Sequence, residues 1–123
     1  MPTETATAKE FIQDYFKVLS GKPKTDELSA RYVSDPKLLE HIRDTEVGFP
    51  SYRIVGEQFV GEGDTVAVRA TFSGTHTGPF FGIPPTGKHV SAAVMLFYRV
   101  ADGRIAQHWM LIDTHALMSQ LTS

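Results

Sequence analysis

The chain has 123 residues, 41% of them hydrophobic and 21% charged, with a formal net charge of −2 and no cysteine. That length predicts one domain, residues 1–123, with its own core, and the near-neutral charge offers no basic field for nucleic acid or acidic membrane. Lack of cysteine excludes disulfides, thiolate nucleophiles and cysteine-ligated zinc.

Met1-Pro2-Thr3-Glu4-Thr5 carries neither a basic nor an apolar leader, and no apolar run reaches the roughly 18 residues of a membrane span. A cytoplasmic location is expected. Over residues 7–19, Ala8, Phe11, Ile12, Tyr15, Val18 and Leu19 follow helical spacing. Thr7 with Glu10 reads as a capping box, and Gly21 and Pro23 as the stop. A short second helix after Thr25 carries Leu28, Tyr32 and Val33. Asp35-Pro36 opens a third, with Asp as the cap and Pro at the first helical position. It holds Leu38, Leu39, His41 and Ile42 and ends before Gly48 and Pro50.

Beyond Pro50 the period becomes extended. Residues 52–60 and 65–75 read as strands around a Gly61-Glu62-Gly63-Asp64 turn. Residues 90–100 and 104–112 read as a hairpin across Ala101-Asp102-Gly103. Between the pairs lies a connection, residues 74–87, whose glycines, prolines, Phe80 and Phe81 suggest a shaped rim to a cavity. Leu117, Met118 and Leu121 give a short closing helix. Helices ahead of a strand meander point to an α+β fold, with helices on one face of a curved antiparallel sheet. The last two strands are apolar on both sides: Val94, Leu96 and Tyr98 against Met95 and Phe97, then Ile105, Trp109 and Leu111 against Ala106, Met110 and Ile112. An antiparallel sheet with one wet face alternates, so a second copy is expected over the outer face, making a homodimer.

Asp113 is the leading catalytic candidate. At a strand end beside Trp109, Leu111 and Ile112 its carboxyl would lose water, rise in pKa and serve as a general acid or base. It also stands where an N-cap belongs, and capping alone explains an Asp there. His108 is the next candidate, because imidazole titrates near neutrality; a hydrogen-bonded core position is the plainer reading. Alternation sets it on the face opposite Asp113. His41 reads either as projecting into a cavity or as exposed. His76, His89 and His115 read as solvent-facing. No two of the five histidines have HxH or HExxH spacing, so no metal and no cofactor is expected. Tyr15, Phe59, Phe72, Phe80, Phe81, Trp109 and Met110 are the candidate lining of a pocket for a hydrophobic small molecule.

The connection from Gly74 to Gly87, the run Val100-Ala101-Asp102-Gly103-Arg104-Ile105-Ala106-Gln107-His108-Trp109, and Asp113 to Leu121 together resemble the SnoaL-like polyketide cyclases. Positions 35–42 match as well, so the likeness covers most of the chain. It implies the nuclear-transport-factor-like fold, a cone-shaped curved sheet closed by N-terminal helices, usually dimeric. It further implies intramolecular aldol chemistry driven by an aspartate acid/base without metal or cofactor. Relatives on the same fold include ketosteroid isomerases and epoxide hydrolases. Met110 stands where many relatives carry Asp, Gln107 where Glu is usual, and His115-Ala116 where Gly-Leu is usual. If the family carboxylate belongs at position 110, only Asp113 could substitute.

Two functions follow as expectations. One is a cofactor-independent acid/base enzyme on a hydrophobic carbonyl compound, with Asp113 moving the proton and His108 or His41 steadying the enolate oxygen. The other is a non-catalytic binder of hydrophobic small molecules on the same cavity. A filled core would instead leave an association module.

Overall fold

Helical spacing carries the first element further back than its capping box suggests. In the computed structural model, which describes residues 2–122, α1 runs Pro2–Leu19, so Thr7 lies within it. Ala8, Ile12, Tyr15, Phe16 and Leu19 form its buried stripe, as period 3.6 dictates. The second helix, α2 (Asp26–Tyr32), is capped by Thr25, whose side chain accepts from the Leu28 amide. Asp35 caps α3 (Pro36–Gly48) in the expected way, accepting from the Lys37 amide, with Pro36 leading. No helix among the described residues is long and apolar enough to cross a membrane.

Four strands follow: β1 (Arg53–Glu62), β2 (Thr65–Thr75), β3 (His89–Ala101) and β4 (Arg104–Ile112). They form one antiparallel sheet in chain order, and α4 (Thr114–Thr122) closes the sequence. The β3–β4 turn has Asp102 and Gly103 both at positive φ, the primed geometry that suits the twist of a hairpin. This is the α+β fold expected, with helices on the inner face of a curved sheet. Ile12, Tyr15, Phe16, Leu38 and Ile42 pack there against Val68, Ala70, Val94, Leu96 and Tyr98. Each fully buried large apolar side chain is worth about 1.5–3 kcal/mol.

Two bulges depart from strict alternation, and both redirect side chains. The register slips between Gly56 and Gln58, which turns Phe59 inward opposite Val68. Its ring lies over Gly56, where any Cβ would collide with it. A second slip between Arg99 and Val100 pairs Val100 with Ile105. Ile105, expected beside Trp109 and Leu111, is therefore wholly buried in the core, while His108, Met110 and Ile112 also face inward. Such bulges add one residue to one strand and flip everything beyond it.

Candidate functional site

Between α1, α3 and the inner sheet face lies a cavity, with about 90 Å³ open to the centre of a water-sized sphere. Its wall is mostly apolar: Leu19, Leu38, Ile42, Ile54, Phe72, Val94, Leu96, Met110, Ile112 and Leu117, with Phe80 and Phe81 from the connection. Polar atoms come from Tyr15, Lys24, His41, Thr45, Tyr52 and Tyr98. No carboxylate is among the lining residues.

The wall has a consistent local origin. Leu38, His41, Ile42 and Thr45 fall on one side of α3 because three- and four-residue steps share a helix face. Thr45 bends its hydroxyl back to the His41 carbonyl at 2.8 Å. Burial pushes the His41 imidazole below its usual 6.5, helped by charge on His108 and opposed by Asp44. His41 is thus a neutral base at neutral pH. Burial also holds Tyr15, Tyr52 and Tyr98 protonated, well above the ordinary phenol range.

His108 answers to Asp35. Both the Ser34 and Asp35 amides donate to the Ile105 carbonyl, at 2.9 and 3.1 Å, which seats the head of α3 against β4. Asp35 Oδ2 then lies 2.9 Å from His108 Nδ1, with the two side chains 11% and 14% exposed. Burial raises the Asp35 carboxyl, but the His108 hydrogen bond, the Lys37 and Leu38 amides and the His108 charge outweigh it and hold it below 3.8. A carboxylate only accepts, so Nδ1 carries the hydrogen and Nε2 is the nitrogen left for exchange.

Asp113 is placed otherwise than expected. It is exposed, accepts from the Ala116 amide at 3.0 Å and receives the Leu117 amide on its carbonyl at 3.1 Å. It is the cap of α4 and does not line the cavity; no bond joins it to His108. The apolar neighbours that were to desolvate it point elsewhere. Trp109 and Leu111 lie on the outer face, 52% and 79% exposed, so Trp109 is not pocket lining. Phe59 packs edge-on against Phe16 at 5.5 Å and borders a separate groove. Tyr15, Phe72, Phe80, Phe81 and Met110 do line the cavity.

Of the other histidines, His89 and His115 are exposed as expected. His76 is not: it is wholly buried against the Phe49 ring, 5.2 Å between centroids. Its Nδ1 accepts from the Thr86 amide at 3.2 Å and lies 3.0 Å from the Thr86 hydroxyl. The ring hydrogen is therefore on Nε2, which is buried without a partner. Sequence reasoning missed Lys24 and the pairing of Asp35 altogether. A lysine in a Gly-Lys-Pro-Lys run looks like a solvated loop, and a capping Asp gives no sign of a second partner 73 residues away.

Among the described residues, no three His, Asp or Glu side chains converge as a metal ion would require. A profile of the SnoaL-like polyketide cyclases matches residues 7–121. No protein of curated function matches the sequence. Among solved structures, AclR of Streptomyces galilaeus superposes with a TM-score of 0.80 at 22% identity, over 95% of this chain and 82% of that one. TsrD of Streptomyces laurentii gives 0.71 at 23%, over 98% and 96%. A Catenulispora acidiphila protein with a ketosteroid isomerase-like fold gives 0.69 at 11%, over 90% and 91%. At these identities the structures speak for the fold, and the profile match speaks for the lineage: this chain belongs to the SnoaL-like polyketide cyclase family.

Proposed function

We propose that the cavity holds an apolar carbonyl compound and that His41 takes a proton from the carbon beside the carbonyl, without metal or cofactor. The observation that carries this is a neutral, half-buried imidazole on the wall of an otherwise oily cavity. Abstraction by a neutral base leaves an enolate, whose oxygen needs a donor. Tyr15 and Tyr98, protonated phenols on the same wall, are suited to supply it. His108, its Nδ1 tied to Asp35, lies close enough that any charge on it helps keep His41 unprotonated. Phe72, Phe80, Phe81 and Met110 would contact the ligand. The enolate leads either to aldol ring closure, as the family suggests, or to isomerisation.

The test is solvent exchange. A bound apolar ketone such as 2-tetralone, followed by NMR in D2O, should lose its α-hydrogens to deuterium faster with the protein than without. His41→Gln should abolish the acceleration while ketone binding persists. Acceleration unchanged by that substitution would refute the role of His41.

A second reading, a non-catalytic holder of hydrophobic small molecules, is favoured by the carboxylate-free lining. Binding without any exchange by the unaltered protein would establish it over the first.

Assembly is part of the proposal. On the outer face, Val60, Ala67, Phe97 and Trp109 form one cross-strand row, with Met95 and Leu111 in the next. Val60, Met95, Phe97, Trp109 and Leu111 are each more than half exposed. A contiguous apolar sheet face of this kind suits a second copy of the chain, in the cytoplasm.

A further inference from the structure

Lys24 takes no part in that proton transfer, yet its side chain is wholly buried and lines the same cavity. Its ammonium nitrogen lies 2.7 Å from the Lys22 carbonyl oxygen and 2.6 Å from that of Tyr52. It also stands 4.0 Å from the centre of the Tyr52 ring. Glu46 Oε1, 3.9 Å away, is too far for a hydrogen bond and is itself buried without a partner. Two strong acceptors satisfy the two hydrogens of a neutral amine and leave its lone pair uncommitted. An ammonium would carry a third hydrogen that meets only the Tyr52 ring face and a Glu46 oxygen beyond bonding range. Burial accordingly pushes the amine down from 10.5 to about 8, against the pull of Glu46.

From this arrangement we infer that Lys24 is a condensing amine: an aldehyde or unhindered ketone with an apolar body, lodged in the cavity, forms an imine on Nζ. The nitrogen lone pair makes the new C–N bond as the carbonyl π pair moves to oxygen, which takes up a proton to give a carbinolamine. The hydroxyl then leaves as water while the second C–N bond forms. Both nitrogen hydrogens are lost to that water, and nothing is oxidised or reduced. Glu46 Oε1, buried without a partner 3.9 Å from Nζ, would take the proton from nitrogen on closing to bonding distance and return it to the departing oxygen. Condensation strands no buried acceptor. The Tyr52 carbonyl keeps the Gly21 amide at 2.9 Å, and Lys22 is exposed, where water replaces the lost donor. The inference rests on the proposed function for the ligand class alone; it does not use His41.

The experiment is reductive trapping on the unaltered chain with benzaldehyde and cyanoborohydride, read by mass-spectrometric peptide mapping. Benzyl adducts should form at Lys24 faster than at exposed Lys17 and Lys37 by about tenfold or more, as expected from its larger neutral fraction. Charged glyoxylate, excluded from an apolar cavity, should reverse that order. In His41→Gln the Lys24 adduct should persist although ketone exchange is lost, which separates the two readings. Labelling at Lys24 no faster than at Lys17 and Lys37 would overturn the inference. So would a Lys24 preference that survives in guanidinium-unfolded protein, or one that disappears in His41→Gln.

Discussion

His108 on β4 and Asp35 at the head of α3 stand 2.9 Å apart, Nδ1 to Oδ2, both mostly withdrawn from solvent. This bond fastens the sheet to the helix that carries His41, less than two turns further along. Asp35 does two jobs with its two oxygens, since Oδ1 caps α3 through the Lys37 amide.

Removing both jobs should be costly. Asp35→Ala is expected to lower stability by about 2–4 kcal/mol, combining a lost cap with a lost charged hydrogen bond. Asp35→Asn keeps the cap and should cost less. The native carboxyl titrates below its unfolded value of 3.8, so its contribution is complete above that pH and disappears as pH falls through the lowered value. Denaturant unfolding from pH 7 down to 3 should show this acid loss in the unaltered protein and a shallower one in Asp35→Asn. Parallel curves would contradict the ion pair.

His41 sets a second pH dependence. Exchange should need its neutral form, so the rate rises with pH to a plateau already reached at neutrality, with its midpoint below 6.5. Asp44 holds that midpoint up. Asp44→Asn should therefore move the acid limb to still lower pH. A limb that moves upward would mean another group is being titrated.

Asp113 separates cap from catalyst. Asp113→Asn should leave exchange and stability nearly unchanged, because Asn caps about as well. Asp113→Ala should cost about 1 kcal/mol and leave exchange in place. Loss of exchange in a folded Asp113→Asn protein would restore the carboxylate to the chemistry.

The outer face predicts assembly. Sedimentation at micromolar concentration should show a dimer, and Trp109→Lys with Leu111→Lys should convert it to a folded monomer. Both side chains point away from the core, so helix and strand content should be preserved. A monomeric unaltered chain would end the homodimer proposal.

Much of the fold was legible in the sequence because its elements are locally encoded. Asp35-Pro36 announced α3, Asp102-Gly103 announced the last hairpin, and the β4 bounds match the structure at both ends. That His108, Met110 and Ile112 share one face also followed from alternation, but not that this face is the inner one, since Trp109 was expected in the pocket. The bulges did not, because a register slip depends on the neighbouring strand; Ile105 was consequently grouped with Trp109 and Leu111. The site was less legible still. Asp35 meets His108 only because the Ile105 carbonyl gathers two amides at the head of α3, an accident of tertiary packing that no local spacing encodes. Asp113 showed the converse: local context explained it fully as a cap, and the cavity lies elsewhere.

The buried His76 braces the connection that brings Phe80 and Phe81 to the cavity wall. Its backbone and ring hold Thr86, Gly87 and Lys88, while Phe80 and Ile83 exchange two amide bonds at the tip. Phe80 is wedged between Phe49 and Phe81, and Phe81 stands 74% exposed with φ at 48°. Should guests enter past Phe81, a frame braced in this fashion would screen them by girth. Altering Phe81 would then change which compounds gain admission.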